Sequence, residues 1–228
     1  MSLSRHAKLF IPLYLAASAA LALSLSDLSN QEAGGGLKAA LEHGSLAAVG
    51  KLGAENGFLN NDKVRIPLPR LLEQARPLLK MSGRGAQLDE LEVAMNHAAE
   101  AAVPLAKPLL IDAVKTMTIS DARQILSGGE TSVTDFFRDK TSSKLAVKFL
   151  PIVKQVTDRS GLTAKYNGAM AQVSKLGLVK QQATVEDYVT QRTLAGLFTM
   201  IGEEEKAIRA DPLGTGSKLI GKVFGALR

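Results

Sequence analysis

Residues 184–212, TVEDYVTQRTLAGLFTMIGEEEKAIRADP, decide the fold. Thr184 and Asp187 stand at the spacing of a capping box, in which the hydroxyl and the carboxylate each satisfy a backbone amide that the first helical turn leaves unpaired. Acids fill that turn, where the positive end of the helix dipole favours them, and Asp211-Pro212 ends the run. The spacing therefore predicts one helix of about 26 residues. On a wheel of about 100° per residue, Leu194, Leu197, Ile201 and Ile208 form its core-facing stripe. Glu204 projects through the middle of that stripe, whereas Glu203 points away and Glu205 pairs with Arg209 one turn on. A carboxylate on a core face needs a cation or amide donors, which makes Glu204 a candidate ligand-binding group.

The rest of the chain repeats this character. Aromatic residues make up 4%, with no Trp, and Ala, Leu, Lys and Glu are frequent, which suits packed helices better than sheets. With 228 residues, 46% of them apolar and 22% charged, the chain is large enough to fill a core, and no linker is long enough to divide it. The expected fold is all-α: a single multi-helix, bundle-like domain with short and proline-bent helices and at most one short extended segment.

Local signals punctuate it. The run after Ser29 reads as helix broken at Gly34-Gly35-Gly36 and again at Gly44. KVRIPLP, residues 63–69, reads as extended because each residue before a proline is pushed out of the helical region. A helix follows to about Met81, and another opens near Ala86 and breaks at Pro104 and Pro108, with a further piece to about Lys115. Thr118 and Asp121 repeat the capping-box spacing ahead of a short helix that ends at Gly128-Gly129. Residues 130–138 read as one helix and 143–156 as another, bent at Pro151.

MSLSRHAKLFIPLYLAASAALALSLS, residues 1–26, sets Arg5 and Lys8 before an apolar run and then small residues in A-x-A order, the layout of a secretory signal peptide. Residues 1–22 are expected to be cleaved, leaving 23–228 as the helical domain in the periplasm. Loss of Arg5 and Lys8 lowers the formal charge of +6 by two, and so mild an excess with few aromatics argues against a nucleic-acid partner. Without cysteine there are no disulfides or thiolates, and His6, His43 and His97 are too few for a multi-histidine metal site. GTGSK at 214–218 and GRG at 83–85 lack the spacing of phosphate-binding loops. No cofactor or metal is assigned.

The remaining candidates lie in two places. In VAMNHAAEAAVPLAKPLL, residues 93–110, Asn96 and Glu100 stack at i and i+4 on a helix whose far side is nearly apolar, so they are candidate ligand-binding residues, although a wet flank explains Asn96 and His97 as well. In SKLIGKVFGALR, residues 217–228, Leu219, Ile220, Val223, Phe224 and Leu227 share one side and Lys218 and Lys222 lie away from it. Such a basic amphipathic helix either docks on its own domain or meets anionic lipid, which makes Lys218, Lys222 and Phe224 the candidate membrane contacts.

Four segments in one order, NGFLNNDKVRIPLP (56–69), MNHAAEAAVP (95–104), MTISDARQILSGGETSVTDFF (117–137) and YVTQRTLAGLFTMIGEEEKAIRADP (188–212), resemble the bacterial exported family catalogued as domain of unknown function 4197. The resemblance implies a helical envelope protein and transfers no functional residue. The expected function is a non-catalytic envelope protein that binds a ligand or protein partner. The alternatives are an envelope hydrolase with Glu204 or Glu100 as general acid, and a peripheral membrane protein acting through its C-terminal helix.

Overall fold

A computed structural model describes residues 30–175 and 184–225. The expected leader, residues 1–22, lies outside the described residues. The order is α1 (Asn30–Leu52), α2 (Arg70–Met81), α3 (Gly85–Ala102), a 3-10 turn (Val103–Ala106), α4 (Lys107–Lys115), α5 (Ile119–Ser127), α6 (Ser132–Arg159), α7 (Leu162–Lys175), α8 (Val185–Ala210) and α9 (Lys218–Gly225). No strand occurs among the described residues, and the all-α reading holds.

α8 begins and ends where its caps place it. The Thr184 hydroxyl accepts from the Asp187 amide, and the helix runs 26 residues to Ala210. α5 has the full capping box, with the Thr118 hydroxyl accepting from the Asp121 amide and the Asp121 carboxylate accepting from the Thr118 amide. Pro104 interrupts the run after Ala102 and produces the 3-10 turn between α3 and α4.

Two expectations are corrected. The glycines of residues 34–36 and Gly44 do not break α1, which is continuous. Its buried face, Leu37, Leu41, Ala48 and Leu52, supplies packing that offsets the intrinsic cost of glycine, and Gly44 is used for close approach: a Cβ there would stand 3.3 Å from Ile208 Cδ1 on α8. The two helices expected over 130–156 are one, α6, of 28 residues with Pro151 inside it. Proline is tolerated because it lies on the exposed side, where the carbonyl it leaves without a donor reaches water.

α8 packs against both α6 and α1, α3 leans on α6 and α8, and α2 and α7 cover α3. Phe137, Leu145 and Phe149 of α6, Leu91 and Met95 of α3 and Leu197 of α8 are fully buried among them. Enclosure of α3 from several sides is what places Asn96 and Glu100 inside the protein.

Candidate functional site

Between α1 and α2 the chain forms an irregular strap, residues 53–69, lying between α3 and α8. Asn56 adopts φ +60°, a left-handed conformation that asparagine tolerates, and Gly57 follows because a Cβ there would stand 2.3 Å from the Lys51 carbonyl. That turn aims three amides at one carboxylate. Asn56 donates to Glu100 Oε2 at 3.2 Å, while Phe58 and Leu59 donate to Oε1 at 3.0 and 3.1 Å. The Glu100 side chain is 7% exposed, and His97 Nδ1 approaches its Oε2 at 2.8 Å.

One turn back, Asn96 is buried and grips the other end of the strap. Ile66 donates its amide to Oδ1 at 2.8 Å, and Nδ2 donates to the carbonyls of Ile66 and Glu92, each at 2.9 Å. Asn96 and Glu100, stacked at i and i+4 as the sequence indicates, are thus brought together on the backbone of one segment. The wet-flank account of Asn96 is corrected: a helix wheel shows angle, not the segment that covers it. His97 does lie on the exposed side, with 45% of its side chain accessible.

α8 clamps the strap from the other side. Gly196 faces Phe58, whose Cε1 would be 2.6 Å from an added Cβ. The Tyr188 hydroxyl donates to the Pro67 carbonyl at 2.9 Å, and Lys63 pairs with Glu203.

The acids of α8 divide differently from the wheel. Glu204 lies on the side facing α1, but its carboxylate pairs with Lys51 at 2.5 Å, with the side chain 13% exposed. The enclosed carboxylate is Glu205, 1% exposed, which accepts the Val133 and Thr134 amides at 3.3 Å and Arg209 at 2.9 Å. It occupies the amide-rich start of α6, where the helix dipole favours a negative charge, and Arg209 also reaches Ser132 Oγ at 3.0 Å. Burial pushes the Glu205 carboxyl above its usual range, against the opposing pull of Arg209 and the two amides. Beside it a cavity of about 10 Å³, lined by Gly44, Ser45, Ile201 and Ile208 among others, has room for a single water.

A third buried acid, Glu186, accepts the Thr163 hydroxyl at 2.7 Å and that of Thr157 at 3.4 Å. Burial raises its carboxyl, but the Thr163 hydroxyl, its own backbone amide, Thr184 and the Lys154 charge leave it below the ordinary range. In the sequence Glu186 stands as a first-turn acid and Glu205 as the i, i+4 partner of Arg209. Their burial depends on α6 and α7, which no local signal in α8 reports.

The roomier concavity is an open groove of about 590 Å³ along α3, α6 and α7, with Val93, Ala94 and Val156 in its lining and Asp89, Glu90, His97 and Lys165 also contributing. Glu100, bound to His97 Nδ1, fixes the ring that borders this groove, leaving Nε2 as the ring's other polar atom. The described residues bring together no group of three or more histidines and acids able to hold a metal, and no helix among them is long and apolar enough to cross a membrane. In α9, Ile220 and Val223 are buried against α1 and Lys218 is exposed, while the Phe224 side chain lies outside the described residues.

The segments held at these junctions are those that carry the family resemblance, and the family model described as protein of unknown function (DUF4197) matches residues 27–225. The chain belongs to this family. No curated protein and no solved structure matches it. In this DUF4197 chain Asn96, Glu100 and Glu205 all hold backbone, and Glu204 holds Lys51.

Proposed function

We propose that this DUF4197 chain is a periplasmic, non-catalytic binding protein whose receiving surface is the groove of α3, α6 and α7. The observation that carries the reading is the commitment of the enclosed acids: Glu100, Glu186 and Glu205 each accept two or more hydrogen bonds from the protein itself. A carboxylate so saturated is poorly placed to give a proton to a substrate. The groove differs in kind. Its aliphatic lining and mixed charged border suit a partner segment with an apolar side, and its order of size is that of small-molecule and peptide sites. The export half of the proposal is supported by the basic, apolar and A-x-A order of the leader.

A photo-crosslinking side chain at Val93, in the groove, compared with one at Leu213, 75% exposed and elsewhere, tests the surface in living cells. The expected result is one discrete adduct from Val93, absent from Leu213 and diminished when Ala94→Arg fills the groove. Identical adducts from the two positions, or none from Val93, would overturn it. The mass of the native protein reads export directly, since it begins near Leu23 if residues 1–22 are removed.

A further inference from the structure

On the side of α6 turned away from the groove, the sequence builds a face whose composition works against the helix that carries it. Lys140, Lys144 and Lys148 succeed one another at i, i+4 and i+8, a ladder of like charges that opposes helix formation. At about 100° per residue, these three share an arc of about 120° with Val147, Pro151 and Lys154. All six residues are exposed, and Val147, between Lys154 and Lys140 around the helix, is 75% accessible. Leu150, about 40° beyond Lys154, is 39% accessible, and Asp139 is set further round.

Two acids reach this face. Asp121 engages Lys140 at 3.4 Å and Asp158 engages Lys154 at 3.0 Å, both through exposed groups of the sort that water and salt weaken. Lys144 and Lys148 have no acidic partner among the described residues. The opposite side of α6, with Leu145, Phe149 and Val153, is consumed by the core, and Lys144, Val147 and Lys148 are left facing outward.

We infer that the outer face of α6 docks on an anionic phospholipid surface, with the lysines on the headgroup phosphates and Val147 and Leu150 entering the boundary between headgroups and hydrocarbon. A multivalent anionic protein or a free phosphate would meet the lysines equally well. A free phosphate gives the exposed valine and leucine nothing and a protein would need a matched apolar patch, whereas a lipid boundary takes both kinds of side chain at once. The rigid helix presents the groups already ordered, so little conformational freedom is lost on docking.

The test is sedimentation of the full chain with vesicles of phosphatidylglycerol mixed into phosphatidylcholine, against vesicles of phosphatidylcholine alone, and the quantity read is the preference for the anionic vesicles. The parent should show a clear preference that fades in 0.5 M salt. Lys144→Gln with Lys148→Gln should cut it about thirtyfold, on the usual contribution per basic residue near such a surface. Val147→Ser, which removes the apolar group without adding charge, should weaken it as well, and Lys218→Glu, on α9, should leave it unchanged. Circular dichroism establishes that each variant is folded. Equal partition of the parent into both vesicle types, or a double variant that keeps the parent's preference, would sink the proposal; so would loss with Lys218→Glu, which would move the contact to α9. Loss with the double variant but none with Val147→Ser would also overturn it, in favour of a purely ionic partner.

Discussion

Asn96 reads the backbone of Ile66 from both directions, accepting its amide at 2.8 Å and donating to its carbonyl at 2.9 Å. A side-chain amide carries one acceptor and one donor side, and here it takes the place that a neighbouring strand would fill for the extended residue between two helices. Pro67 and Pro69, which follow Ile66 and Leu68, push both residues out of the helical region, so the polar groups of this segment need such a partner inside the protein.

Asn96→Ala leaves both groups of Ile66 without their partner in a buried setting. The expected loss is about 2–4 kcal/mol by urea unfolding, with Asn96→Asp nearly as harmful because it cannot donate to the carbonyl. A loss under about 0.5 kcal/mol for Asn96→Ala would show that the strap does not depend on this clamp.

Gly196 and Phe58 should behave as a pair. Gly196→Ala places a methyl 2.6 Å from the Phe58 ring, and the expected loss is about 1–3 kcal/mol despite alanine's better helix propensity. Phe58→Leu, costly alone, should absorb part of that loss, giving a coupling of about 1 kcal/mol in a double-mutant cycle. Strict additivity would mean that the ring moves aside.

Glu204→Ala and Glu205→Ala, one position apart, should differ by a wide margin. The Lys51 partner of Glu204 is 61% exposed, so thermal denaturation should shift little. Removal of Glu205 strips the start of α6 and leaves Arg209 without its carboxylate, for which about 3 kcal/mol is expected. Similar shifts for both variants would contradict the division of roles within this acid cluster.

Glu186 and Glu205 should tilt the pH dependence of stability in opposite senses. The Glu186 carboxyl is lowered in the folded state, so its contribution is present above the ordinary value of 4.5 and disappears as pH falls through the lowered one. Glu205 is raised, so its contribution is present below 4.5 and is lost as pH rises through the raised value. Glu186→Gln should therefore cost more at pH 7 than at pH 3, read by urea unfolding at each pH. A difference between parent and variant that does not change with pH would refute the assignment for Glu186.

Much of this architecture is legible along the chain because helix boundaries are local. Thr184 with Asp187, Thr118 with Asp121, and Pro104 act within one turn of where they stand, and the structure places helix ends at each. The misread junctions involve weaker signals. Glycine lowers helix propensity by about 1 kcal/mol, which neighbours can supply, and the residues joining 130–138 to 143–156 contain no breaker at all. The candidate residues show the same limit. The i, i+4 relation of Asn96 and Glu100 is a property of one helix, whereas the Ile66 and Phe58 groups they hold lie 30 and 42 residues away in sequence.

By itself the sequence determined the helical class, the capped span of α8, and the stacking of Asn96 with Glu100, because propensity, capping and periodicity act between residues a few positions apart. Only the tertiary structure decided that Glu205, and not Glu204, is the enclosed acid, and that the strap between α1 and α2 occupies the polar side of α3. Burial depends on which distant segment covers a face, and a difference of one position, about 100° around a helix, exchanges core for solvent.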